Sequence, residues 1–205
     1  MSVAEFKHVW VDRGSPNTLL LLHGTGGSET DLLPIGDTLA PTFNQLSPAG
    51  RVMEGPMRRF FRRYGEGKFD ESSIREEAAA LAEFVRWAAG AYGFDPSRVY
   101  GVGFSNGANI AGSLLLLHPT VLAGGMLMRP MLPLEPPEVP DLRGKRVLTV
   151  NGERDEMAPL ASVERLHALL REGGADLEAV WHSGGHGLTR GELSHGAGWF
   201  AGFGE

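Results

Sequence analysis

The stretch GVGFSNG, residues 101–107, restricts this chain more than any other. Glycine weakens strands and helices alike. Glycines at 103 and 107 around a single serine, directly after an apolar run, therefore imply a bend too sharp for side chains at the flanking positions. The preceding segment, DPSRVYGVGF, reads as a turn and a strand, and NGANIAGSLLLLH reads as the helix that follows. A serine between strand and helix has the setting of a nucleophile elbow, where strained φ and ψ lift Oγ above the sheet. The helix starting at Asn106 would aim its first N–H groups and positive dipole end at the same place.

The rest of the chain supplies a scaffold for such a turn. EFKHVWV alternates with period two and reads as a strand, and the continuous run TLLLL suits a strand buried on both faces. SETDLLPIGDTLA is expected to be helical, interrupted at Pro34, and FNQLSP to be a further strand. Residues 49–71 show no period. The strongest helix signal spans residues 72–91, with Gly93 after its end. VLAGGMLM and KRVLTVNG read as strands, PLASVERLHALLREGG as a helix, DLEAVWH as a strand, and a last helix starts from Thr189. Strands alternating with helices predict a mainly parallel sheet of about seven strands with helices on both faces. The proline-rich PMLPLEPPEVP lies between two strands and reads as a loop, so residues 1–205 are expected to form one domain.

Composition narrows the chemistry. A net charge of −6 argues against nucleic acid or an anionic membrane as the main partner. With no cysteine, disulfides, thiolate metal sites and a cysteine nucleophile are excluded. The start, MSVAEFKHVWVDRG, has no apolar core of a secretory signal, and LLLLHG and LLLLHP are too short to span a bilayer. A cytoplasmic protein is the expectation.

A serine hydroxyl needs a base to act as a nucleophile, and that base needs an orienting group. In folds built around this elbow the chain order is serine, acid, histidine. NGERDEMAPL offers Asp155 in the turn after a strand, with Glu153 and Glu156 as rivals. We favour Asp155, because a short carboxylate in a tight turn best fixes an imidazole. In DLEAVWHSGGHGLTRGEL the base is expected to be His186, among glycines after the last strand. His182 reads as structural and His195 as a surface residue. The H-x3-H spacing of His182 and His186 lacks further ligands for zinc, so no metal is expected. An oxyanion would be held by the backbone N–H of Asn106, after the nucleophile, and by that of Thr25 in HGTGG, where Gly24 and Gly26 let backbone approach substrate. His23 is expected to brace that loop.

The segments LLLLHGTGGSETDLLP, SPAGRV, GFSNGANIA, NGERDEMAPL and SGGHGL, in this order over nearly the whole chain, resemble the phospholipase/carboxylesterase family of α/β-hydrolases. The resemblance implies a Ser105–Asp155–His186 triad, no cofactor, no large lid domain, and hydrolysis of small-molecule carboxylic esters or thioesters. Thioesterase, lysophospholipase and non-catalytic ligand-binding roles remain alternatives. The cover expected for the site is PMRRFFRRYGEG. There Phe60 and Phe61 either wall an acyl pocket, with an arginine on an acidic group, or anchor the loop while the arginines stay solvated. Apolar surface around these two phenylalanines is the basis for expecting a homodimer.

Overall fold

A computed structural model describes residues 6–203. In chain order the first elements are β1 (His8–Val11), β2 (Thr18–Leu22), α1 (Leu33–Leu39) and β3 (Asn44–Pro48). Four short strands follow: β4 (Val52–Glu54), β5 (Met57–Arg59), β6 (Arg63–Gly65) and β7 (Lys68–Phe69). Then come α2 (Glu71–Tyr92), β8 (Val99–Phe104), α3 (Asn106–Leu117), β9 (Gly124–Met128) and β10 (Arg146–Gly152). The last elements are α4 (Leu160–Glu172), β11 (Asp176–His182) and α5 (Arg190–Ala201).

Seven strands make one sheet in the order β1-β3-β2-β8-β9-β10-β11. Only β1 runs antiparallel to its neighbour; every other pair is parallel. The continuous apolar runs arise because both faces are covered. Leu20 and Leu22 of β2 join a core with α2, α3 and α4. Leu19 and Leu21 point into a second core with α1 and α5. Burying each such leucine contributes roughly 1.5–3 kcal/mol, so β2, β8, β9 and β10 form a stiff central platform.

The glycines of β8 have a packing reason. A Cβ at Gly103 would lie 2.4 Å from the Gly107 carbonyl oxygen, and one at Gly101 would lie 3.0 Å from a Leu122 methyl. Their absence lets α3 settle directly onto the strand.

Two sequence expectations need correcting. Pro34 stands at the start of α1, where its missing N–H has no intrahelical use, so it opens the helix instead of interrupting it. Residues 49–71 are not irregular: β4 pairs with β5 and β6 with β7, as two antiparallel hairpins. Strands of two or three residues are too short to show a period, and Gly55 and Gly67 turn the chain at φ of 58° and 65°. The long helix α2 is capped as expected at its far end by Gly93 at φ 75°, and at its start by Asp70, whose carboxylate accepts the Ser73 N–H.

Candidate active site

Ser105 sits between β8 and α3 with φ 53° and ψ −114°, a conformation that costs a non-glycine residue about 1–3 kcal/mol. Two backbone hydrogen bonds hold it there: its N–H donates to the Met128 carbonyl and its own carbonyl accepts from Asn109 N–H, both at 2.9 Å. The flanking glycine at 107 is sterically dictated, since a Cβ there would stand 1.9 Å from the Leu22 carbonyl oxygen. That approach seats the start of α3 against the end of β2, and so beside the HGTGG loop.

This loop is braced from several directions. His23 Nε2 accepts the Gly50 N–H at 2.9 Å, which leaves Nδ1–H to donate to the Gly24 carbonyl at 2.6 Å. Burial pushes the His23 pKa below its ordinary value, in keeping with this neutral tautomer. Gly26 N–H donates to the Arg58 carbonyl, and Arg59 Nη1 donates to Thr25 Oγ1 at 2.5 Å. Thr25 N–H makes no hydrogen bond among the described residues, and Asn106 N–H, first in its helix, has no intrahelical acceptor. The Asn106 side chain ties the elbow to the hairpin segment, its Oδ1 accepting the Phe60 N–H at 2.7 Å.

Asp155 and His186 come together. Asp155, in the turn after β10, is buried, whereas Glu153 and Glu156 are exposed. Its Oδ2 lies 2.7 Å from His186 Nδ1, and its Oδ1 accepts the Met157 N–H. His186 follows β11, and its Nε2 is left without a partner among the described residues. Ser105, Thr25, Asn106 and His186 all line one narrow cavity of about 30 Å³, room for roughly two water molecules. Ser105 Oγ has no hydrogen-bond partner among the described residues; contacts between nucleophile and base commonly tighten only in the substrate complex. His182 binds back to its own loop, accepting the Gly184 N–H, and His195 pairs with Glu178 on the surface.

The substrate-contact expectations fare differently. Phe60 and Phe61 are fully buried in the core under α2, not in the cavity wall. The apolar anchoring reading holds for them, and their burial removes the exposed patch on which a dimer was expected. Gly24 does not line the cavity, and a Cβ there would meet Phe104 at 3.0 Å. What the hairpins bring to the cavity is Arg59, Arg63, Glu66, Gly67 and Phe69. Of these, Arg59 is buried instead of solvated.

Sequence reading missed Arg129, which directly follows β9. It stands at φ 57° with a fully buried side chain. Its guanidinium reaches the carbonyls on both sides of His186: Nε donates to Gly185 O at 3.0 Å and Nη2 to Gly187 O at 2.5 Å. Nη1 donates to Val150 O. Glu192 of α5 neutralises it, accepting from Nη2 at 3.1 Å, with Oε1 at 2.8 Å from Nη1 but not aligned for a hydrogen bond. Glu192 also completes the α5 capping box with Thr189. A buried cation needs such partners, and they lie 21 to 63 residues downstream. The only local signal was an arginine closing an otherwise apolar run.

A largely parallel seven-stranded sheet with a serine on a strand-to-helix turn is the architecture of an α/β-hydrolase. Comparison with known proteins agrees. No family model matches the chain. It is 41% identical over 194 residues to "Putative hydrolase MhqD" of Bacillus subtilis (strain 168), covering 95% of this chain and 97% of that protein. The Bacillus cereus carboxylesterase crystal structure superposes with a TM-score of 0.93 at 40% identity, over 98% of this chain and 96% of that one. A carboxylesterase from Mesorhizobium loti gives 0.88 at 35% identity, over 94% and 93%. The chain belongs to the carboxylesterase-type α/β-hydrolases. Among the described residues no helix is long and apolar enough to cross a membrane.

Proposed function

We propose that this protein hydrolyses small carboxylic esters through an acyl-enzyme formed on Ser105. His186 Nε2 takes the hydroxyl proton as Oγ attacks the ester carbonyl carbon. The oxyanion so formed accepts hydrogen bonds from the Thr25 and Asn106 N–H groups. Asp155 stabilises the imidazolium through Nδ1–H and fixes its tautomer. The tetrahedral adduct collapses with the alkoxide leaving group taking the proton from His186. Water, deprotonated by the same imidazole, then attacks the acyl-enzyme and releases the acid, returning the proton to Ser105.

The observation that carries this reading is the 2.7 Å contact between His186 Nδ1 and Asp155, on a ring that shares a cavity with a serine in strained elbow geometry. A thioester would use the same atoms, as would a lysophospholipid. The test is hydrolysis of 4-nitrophenyl acetate and butyrate. Ser105→Ala is expected to lower kcat by at least about 10³-fold, and a fluorophosphonate should label the wild type at Ser105 alone. Undiminished turnover by Ser105→Ala would end the mechanism.

A further inference from the structure

Arg59 is 3% exposed, yet it lines the cavity beside Ser105. A guanidinium so far out of water ordinarily has a carboxylate of its own. Here the hydrogen bonds go to neutral acceptors: Nε to the Phe61 carbonyl at 3.2 Å and Nη1 to Thr25 Oγ1. Glu54 comes within 3.3 Å of Nε. Its oxygens, however, take three hydrogen bonds from Arg63, at 3.0 to 3.1 Å. Glu66, the other carboxylate at this end of the cavity, also bonds Arg63. Arg63 is thus doubly compensated and Arg59 is not. Desolvation and the neighbouring Arg63 both press the Arg59 pKa down, and Glu54 and Glu66 only partly oppose them.

The remaining nitrogen, Nη2, has no partner among the described residues. It is not one of the sealed polar atoms either, so it opens to the cavity. Asn109 adds a second donor. Its Oδ1 accepts the Met131 N–H at 2.9 Å, which fixes the amide so that the free, unsealed group facing the cavity is Nδ2.

Resting on the esterase reading above, we propose that Arg59 Nη2 receives a carboxylate of the substrate, and that the preferred substrates are short esters bearing an anionic group near the scissile carbonyl. A carboxylate there would give Arg59 the hydrogen-bonded counter-charge that Glu54, 3.3 Å from Nε but hydrogen-bonded to Arg63, does not supply, through a charge-assisted hydrogen bond in the cavity. Arg59 also holds the Thr25 loop, so the same residue joins substrate selection to the placement of an oxyanion donor.

The test compares kcat/KM for matched pairs, with the uncatalysed rate subtracted. Mono(4-nitrophenyl) succinate against 4-nitrophenyl butyrate places the charge on the acyl side. The acetate ester of 4-hydroxybenzoate against its methyl ester places it on the alcohol side. The wild type is expected to favour the anion in one of the two pairs, and Arg59→Met to lower that ratio about 10- to 100-fold, with Arg59→Lys keeping part of it. Succinate should inhibit butyrate ester hydrolysis competitively in the wild type and far less in Arg59→Met. Should Arg59→Met not fold, the wild-type ratios and succinate inhibition decide alone. Preference for the neutral ester in both pairs, or a ratio indifferent to Arg59→Met, would overturn the proposal. If the wild type cleaved none of the four esters, the hydrolase reading would fall instead; calorimetric titration with succinate would still decide the anion site, absence of binding overturning it.

Discussion

Two regions meet at the cavity, and they are held by different forces. The elbow, with the loops of Thr25 and His186 around it, is fixed largely by backbone meeting backbone. Gly107 lies against Leu22, Gly103 against Gly107, and Gly152 against Gly185, at separations that exclude a Cβ. The hairpins of residues 52–69 are anchored in the core by Phe60 and Phe61, but their outer ends are held by charge, with Arg63, Glu54 and Glu66 paired across them. Steric exclusion at van der Waals range is steep and indifferent to salt, whereas partly exposed ion pairs are shallow and screened. The first region therefore suits fixed reaction geometry, and the second suits admission and selection.

That contrast can be broken experimentally. The largest effect is expected from Gly107→Ala, whose methyl meets the Leu22 carbonyl at 1.9 Å. It should destabilise the protein by more than about 4 kcal/mol, read from urea denaturation; a small loss would mean the elbow is not sterically locked.

Arg129→Met comes next. It strands Glu192 as a buried charge and should lose about 3 kcal/mol, with kcat falling about 10- to 100-fold as His186 loses its two carbonyl tethers. Adding Glu192→Gln should restore stability but not kcat. Recovery of both would reduce Arg129 to a structural role.

A smaller effect tracks pH. Burial and the nearby Arg171 push the His167 pKa down to about 4. Its Nε2 lies 2.8 Å from Thr149 Oγ1 on β10, the strand that leads to Asp155. A histidine held neutral on folding gives stability that is fully present above pH 6.5 and is lost as pH falls toward 4, because the unfolded chain binds the proton first. His167→Gln should flatten that slope in denaturation series run at successive pH values.

The smallest effect belongs to the hairpins. Glu54→Gln weakens a pair whose carboxylate is 39% exposed, and it should change stability by no more than about 1 kcal/mol. A larger loss would show that the two regions are not built as differently as they look.

The same contrast explains what could be read from the chain in advance. Backbone exclusion leaves a mark in the sequence, because only glycine satisfies it. Gly103 and Gly107 of GVGFSNG were therefore legible. Asp155 was separable from Glu153 and Glu156 by its turn, and of the three it alone is buried. The hairpins left no comparable trace. In RRFFRR, aromatic and cationic residues alternate in pairs, and nothing local says which pair faces the interior. Phe60 and Phe61 take the core, while Arg59 turns to the cavity because Thr25, 34 residues earlier, accepts its hydrogen bond. Arg129 was hidden for the same reason. Charged residues go inside only when distant partners receive them, and such partners do not show at short range.

One earlier detail bears on how such a protein can change. Residues 58–60 are stitched to both expected oxyanion-binding segments, through Arg58 O to Gly26, Arg59 to Thr25, and Phe60 N–H to Asn106. On the proposed mechanism, taste and speed hang from a single thread, and a lineage that rewrites this tripeptide to welcome a new compound must also reset its turnover. Variants with altered preference should thus be found with altered maximal rates, and seldom with one trait moved by itself.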